Sequence, residues 1–169
     1  VPLQDAVAAY GVPVMVSTGM SYVGEVEKVV LRLNARGVKE IILLHCVSLY
    51  PSPVECLNLK AIQTMMQVFP YPIGYSDHSL GSTACWAAVA LGAKVIEKHF
   101  TLDKTMEGPD HSLSADCDEF KALVTGIRQV ERALGSGVKA PCGPEKEKRE
   151  VYRRCLVANC DIPKGTVIR

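Results

Sequence analysis

Several absences narrow what this sequence can be. It has no surplus of one charge: 19 Lys and Arg stand against 18 Asp and Glu, a net of +1. With no basic block either, nucleic acid is not an expected partner. No apolar run approaches the ~20 residues that cross a bilayer, so no membrane partner is expected. The N-terminal residues lack a secretory pattern. The seven cysteines, at 46, 56, 85, 117, 142, 155 and 160, include no Cys-x-x-Cys pair. Their odd number, with several inside apolar runs, points to reduced, buried thiols and a cytoplasmic location. An initiator Met is missing too. Val1 begins within a helix-like pattern (Leu3, Val7, Tyr10), and Thr166 to Arg169 stop within a strand-like one. The chain is therefore expected to be a segment of a longer protein.

What is present is enough for one ordinary domain: 169 residues, 48% of them hydrophobic. Gly11 closes the first helix, and Pro13 to Val16 read as a buried strand ending in Ser17-Thr18-Gly19-Met20. Ser21 is a candidate N-cap for a helix carrying Val23, Val26, Val30 and Leu33, stopped by Asn34 and Gly37. Ile41 to Leu44 form a continuous apolar strand, as parallel strands covered on both faces do. It runs into His45 to Pro53, a loop whose prolines forbid regular pairing. Leu57, Ile62, Met65 and Met66 mark the next helix, with the Met pair as core filling.

The stretch from Gly74 to Asp110 organises the rest. Pro72 to Tyr75 approach as a strand and turn polar at Ser76-Asp77-His78. An Ala-rich helix follows from Ala84 to Leu91, and Lys94 to Glu97 form another strand ending at His99. Strand–helix–strand crossovers make the two strands parallel neighbours. Each histidine then lies just past a strand's C-terminal end, on the same rim. Phe120, Leu123, Val124, Ile127, Val130 and Leu134 recur at helical spacing before Gly135. The order is a helix and then four βα units, a pattern shared by doubly wound and barrel folds. A barrel needs eight such units and ~250 residues, so four make half of one. Residues 136–150 read as a linker containing a solvated charge run, Glu145 to Arg149. Arg154 to Ala158 and Ile162 to Ile168 read as short strands of a small β-rich domain beginning at 151.

Two neutral imidazoles, His78 and His99, can hold a divalent cation and leave positions open for water and substrate oxygens. Such a cation is a Lewis acid toward a carbonyl. His ligands suggest zinc or iron before manganese, so the residues alone do not choose the ion. The hydroxyls of Ser17, Thr18, Ser48 and Ser76 could donate to phosphate oxygens, or could simply be strand-end polarity. Tyr50, in the Pro-rich loop, could line a sugar pocket or pack. Asp110 could accept hydrogen bonds from hydroxyls or cap a turn, while His45 and His111 read as groups satisfied by their neighbours.

Five motifs occur here in a fixed order: Ser17-Thr18-Gly19-Met20; His45-Cys46 with Tyr50-Pro51; Gly74-Tyr75-Ser76-Asp77-His78; Glu97-Lys98-His99-Phe100-Thr101; and Gly108-Pro109-Asp110. In them the chain resembles the sialic acid synthases, above all the bacterial N-acetylneuraminate and legionaminate synthase group with its spore-coat polysaccharide proteins. The resemblance covers essentially the whole chain. It implies an α/β fold, the C-terminal half of a (β/α)8 TIM barrel over residues 1–135. After the linker 136–150, residues 151–169 would open an antifreeze-like (SAF) domain. It implies condensation of phosphoenolpyruvate with an N-acylated amino sugar such as N-acetylmannosamine, giving a nonulosonic acid and phosphate. His78 and His99 would match Mn²⁺ ligands through which the open-chain aldehyde is polarised. Enol C3 would attack that aldehyde, water would add at C2, and phosphate would leave. Ser17 and Ser76 would match phosphoenolpyruvate contacts, and Tyr50 and Asp110 sugar contacts. Ser48 stands where some members carry Asn near the phosphoenolpyruvate carboxylate. A homodimer is implied for the full-length protein. The family's phosphate-binding lysine and acidic residues would precede Val1, so the chain by itself is expected to be inactive. Two alternatives remain at this point. One is another metal-dependent barrel enzyme, such as a phosphoenolpyruvate-dependent aldol-type synthase or a hydrolase using Asp77 or Glu97 as base. The other is an inactive half-barrel that binds sugar.

Overall fold

A computed structural model describes residues 2–167, which divide into two compact units, 2–135 and 136–167. In the first, helix α1 (Pro2–Ala8) precedes β1 (Val14–Ser17), α2 (Val23–Ala35), β2 (Ile41–Cys46), α3 (Ala61–Val68), β3 (Ile73–Asp77), α4 (Thr83–Ala90), β4 (Ile96–Lys98) and α5 (Cys117–Leu134). The four strands are parallel and lie in sequence order, β1-β2-β3-β4, in a curled sheet that forms a half-barrel. Among the described residues no helix is long and apolar enough to cross a membrane.

Period-two alternation assigns the two faces of the sheet. Val14, Val16, Ile41, Leu43, Ile73, Tyr75 and Ile96 pack against Val26, Val30 and Leu33 of α2, Ile62 and Met65 of α3, and Ala84 and Ala88 of α4. The alanines of α4 bring that helix close to the sheet. On the face away from the helices, Leu44 meets Gly74. A Cβ at Gly74 would lie 2.5 Å from Leu44 Cδ2 and 2.7 Å from the Val95 carbonyl oxygen. Only glycine therefore lets β2 and β4 close over β3 at that level.

Several expectations are corrected. Helix α2 is entered from Tyr22, because Glu25 reaches back to its amide at 2.8 Å, while the Ser21 hydroxyl is spent on the Gly19 carbonyl. Met66 is exposed, and only Met65 fills core. Strand β3 runs on through Ser76 and Asp77, since their polar side chains find partners at the sheet rim. All seven cysteines are free, but only Cys46 and Cys85 are buried; the other five are exposed.

The second unit differs most from its sequence reading. Residues 143–150, expected within a linker and its charge run, and 151–152, expected to open the β-rich domain, together form helix α6 (Gly143–Tyr152). Pro144 near the start costs no hydrogen bond, Glu145 accepts from the Cys142 amide at 3.3 Å, and the charged residues are good helix formers. No strand forms among residues 153–167. A strand needs a ladder partner for its N–H and C=O groups, and none pairs here, so Leu156 and Val157 stay exposed. The part of the expected strand at Ile168 and Arg169 lies outside the described residues.

Two outcomes follow. Gly74→Ala should cost about 1–3 kcal/mol in denaturant unfolding, because backbone as well as side chain must shift. Burial raises the Cys46 and Cys85 thiols and keeps them protonated at pH 8, where the thiolate is the reactive form. Mass spectrometry after alkylation at that pH should find Cys56, Cys117, Cys142, Cys155 and Cys160 labelled in the native protein. Cys46 and Cys85 should label only in denaturant.

Candidate active site

At the ends of β3 and β4 the paired residues Asp77 and Lys98 turn to the helix-covered face. Their side chains are 0% and 3% exposed, and Lys98 Nζ lies 2.7 Å from Asp77 Oδ2. The same carboxylate accepts from the Tyr75 hydroxyl at 3.1 Å, the Ser79 amide at 2.9 Å, the Ser79 hydroxyl at 2.7 Å and the Cys85 thiol at 3.1 Å. Lys98 also donates to the Ser79 carbonyl at 2.7 Å. Burial alone would raise the Asp77 carboxyl, but Lys98, Ser79 and Cys85 outweigh it and hold it below its ordinary value. Burial and the nearby Asp77 charge push the Tyr75 hydroxyl and Cys85 thiol up. Asp77 is thus a committed anion with no lone pair free for substrate, and it cannot serve as a hydrolase base.

His78 and His99, the next residue in each strand, leave on the opposite face. Their rings are perpendicular with centroids 5.3 Å apart. The His78 Nδ1 lies 2.7 Å from the Val47 carbonyl. A carbonyl only accepts, so Nδ1 carries the proton and Nε2 of the neutral ring presents a lone pair. The Val47 carbonyl also accepts from the buried Ser52 hydroxyl, whose amide donates in turn to the His78 carbonyl at 2.9 Å. This ties the loop after β2 to His78 and brings Tyr50 over both imidazoles, at 4.2 Å from His78 and 5.6 Å from His99.

His99 is held from its other side. Its carbonyl accepts from the Ala115 amide at 2.9 Å, and the Thr101 amide donates to the Ala115 carbonyl at 2.9 Å. Thr101 Oγ1 lies 2.8 Å from His111 Nδ1, which steadies the intervening loop. In that loop Asp110 Oδ2 comes to 3.7 Å from His99 Nδ1, outside hydrogen-bond range. The Asp110 carboxylate is 54% exposed and caps nothing; its main-chain carbonyl instead takes the Ser114 amide and hydroxyl.

The structure therefore gathers Tyr50, His78, His99 and Asp110. Ser76 lies one step deeper, buried, donating to Glu97 Oε1 at 2.7 Å. Ser48 belongs to a separate knot, since a Cβ on Gly19 would collide with its hydroxyl and lie 3.2 Å from Cys46 Sγ. Ser17 is exposed at the end of β1, with no recorded contact to the histidines. His45 is satisfied at 2.8 Å from the Leu57 carbonyl. Sequence reasoning missed Lys98 and Ser52; the signal for Lys98 was its place opposite Asp77 in two consecutive strand ends.

Two imidazoles sharing one cation at about 2.0–2.2 Å would have centroids roughly 5 Å apart. The 5.3 Å separation and the unshared Nε2 lone pair of His78 fit that use. Among the described residues there is no cluster of three His, Cys, Asp or Glu that could hold a metal, so the candidate ligands here are the two imidazoles.

Known proteins resemble this chain in sequence and in fold. The NeuB family matches residues 1–139. An uncharacterised protein of Methanocaldococcus jannaschii is 55% identical over 97% of this chain and 49% of its own length. The N,N'-diacetyllegionaminic acid synthase of Campylobacter jejuni is 45% identical over 98% of this chain and 50% of its own. The crystal structure of N-acetylneuraminic acid (sialic acid) synthetase from Leptospira borgpetersenii matches with a TM-score of 0.79 at 40% identity, over 91% of this chain and 55% of that one. The chain spans about half the length of the curated relatives it matches.

Replacing Lys98 alone with Met should leave a buried, uncompensated carboxylate and cost about 3–5 kcal/mol at neutral pH. Because the folded value of Asp77 is depressed, the wild-type contribution is complete above about pH 4 and is lost as pH falls through the lower folded value. Denaturant titrations should therefore show the gap between wild type and variant narrowing in strong acid.

Proposed function

Because the chain belongs to the NeuB family, we propose that it supplies the metal-holding half of the active site of a sialic-acid-type synthase. The reaction is condensation of phosphoenolpyruvate with an N-acylated amino sugar to a nonulosonic acid and phosphate. The observation that carries the reading is the cluster of His78, His99 and Tyr50 with the open carboxylate of Asp110 beside it. The relatives named as legionaminic and sialic acid synthases support it.

His78, through Nε2, and His99 would hold a divalent cation, Mn²⁺ in this reading, which supplies Lewis-acid polarisation of the sugar aldehyde. The chain's own groups do the rest. Tyr50 covers the imidazoles and shapes the side from which a sugar enters. Asp110 accepts hydrogen bonds from sugar hydroxyls, each charge-assisted contact contributing roughly 1.5–3 kcal/mol. Ser76 would have to turn from Glu97 to donate to a phosphoenolpyruvate oxygen, whereas Ser17 is free to do so. Ser48 faces the loop after β1 and would act through that loop. The same reading makes the full-length protein a cytoplasmic homodimer and residues 151–169 the opening of an antifreeze-like domain. A hydrolase finds less here, because Asp77 is consumed by Lys98.

The reaction is tested in the intact protein by phosphate release from phosphoenolpyruvate with N-acetylmannosamine and related N-acylated sugars. No release with any acceptor, in the presence of Mn²⁺, would reject it. Asp110→Asn should weaken amino-sugar use about tenfold or more with phosphoenolpyruvate binding nearly unchanged. Joint loss of fold and of both substrates would show Asp110 to be structural.

A further inference from the structure

The Asp77–Lys98 pair is buried and its carboxylate has no lone pair to spare for a substrate. Five donors meet one carboxylate, and the ammonium takes a second acceptor in the Ser79 carbonyl. Stability by itself does not account for such a pair. Replacing a buried ion pair by well-packed apolar residues is often neutral or favourable. What a pair of directional bonds adds over apolar contact is resistance to sliding and twisting.

Its place in the sheet gives that resistance a use. Strand β4 is three residues long, and its ladder to β3 has three register positions: Tyr75 with Ile96, Ser76 with Glu97, and Asp77 with Lys98. The last carries the ion pair on the helix-covered face. The next residue of each strand is a histidine on the opposite face, and alternation converts any slip or rotation at the last rung into displacement of an imidazole. His78 has a further tether at the Val47 carbonyl, and His99 one at the Ala115 amide, but neither joins the two strands to each other. Among the recorded side-chain bonds, those of Lys98 to Asp77 and to the Ser79 carbonyl and that of Ser76 to Glu97 span the two strand ends, and only the Lys98 bonds come from the last rung.

We propose that Asp77 and Lys98 are positioning residues: by locking the final rung of β3 and β4 on one face, they set the spacing of His78 and His99 on the other, and with it the affinity of that histidine pair for a divalent cation. The inference rests on the reading of the two histidines as metal-holding.

The test is Mn²⁺ affinity, read by the electron paramagnetic resonance signal of the free ion, beside the thermal unfolding of the intact protein. Asp77→Leu combined with Lys98→Met removes both charges together. This double variant should unfold cooperatively, with its Mn²⁺ dissociation constant raised about 10- to 100-fold. Leu33→Ala, at a buried position near the C-terminal end of α2, is the control for lost stability alone; it should unfold earlier and bind Mn²⁺ as the wild type does. Wild-type affinity in the double variant overturns the inference, as does weakened binding in Leu33→Ala that tracks its stability. Should the double variant not fold, Asp77→Asn keeps the shape and one acceptor oxygen of the side chain and breaks the ion pair. It should weaken Mn²⁺ binding while staying folded, and unchanged affinity there overturns the inference equally. Wild-type protein that binds neither Mn²⁺ nor Co²⁺ defeats the metal reading itself. Wild-type binding that survives in the variants defeats only the positioning role.

Discussion

Two charges taken out of water must find each other, and in this chain the meeting of Asp77 with Lys98 decides where several other things go. The carboxylate draws the Cys85 thiol toward β3 and so seats α4 against the sheet. It draws the Ser79 amide and hydroxyl inward, turning the chain sharply after His78. The ammonium reaches across from β4 and fixes the end of a strand too short to hold its register by main-chain bonds alone. Helix packing, the turn into α4 and the rim of the sheet therefore share a single electrostatic solution.

The loop after β2 is organised by a different economy. One carbonyl, that of Val47, accepts from both the His78 ring and the Ser52 hydroxyl, and Ser52 returns its amide to His78. Three polar groups are satisfied within a few residues, and the result is a rigid arm that carries Tyr50 across the two imidazoles. Asp110 arrives from the opposite side on a loop whose two ends are joined where Ala115 meets His99 and Thr101. The site is thus assembled from two arms and one sheet edge, with its polar ends facing inward.

The parts legible in the sequence were those that repeat. Apolar runs and helical spacing gave the order of helices and parallel strands, and the strand-end positions of His78 and His99 followed from it. The side chains that hold the site together were not legible, because what matters about them is a partner distant in sequence. Lys98 reads as one more surface lysine until Asp77 is opposite it, and Ser52 as a loop serine until His78 folds over it. Local signals misled in the second unit. Proline, glycine and dense charge suggested a linker at 136–150, where much of a capped, charge-rich helix forms. Short apolar segments after 153 suggested strands around a turn, but strand formation depends on a neighbour that no single segment can announce.

The contact between Gly19 and Ser48 bears on how such sites diversify. A side chain at 19 would occupy the space of the Ser48 hydroxyl and press on Cys46. The loops after β1 and β2 therefore cannot drift independently, since position 19 can gain bulk only where position 48 gives it up. Substitutions at these two positions should travel through evolution as a linked pair, and a laboratory exchange of either loop for a relative's would need to carry the other with it.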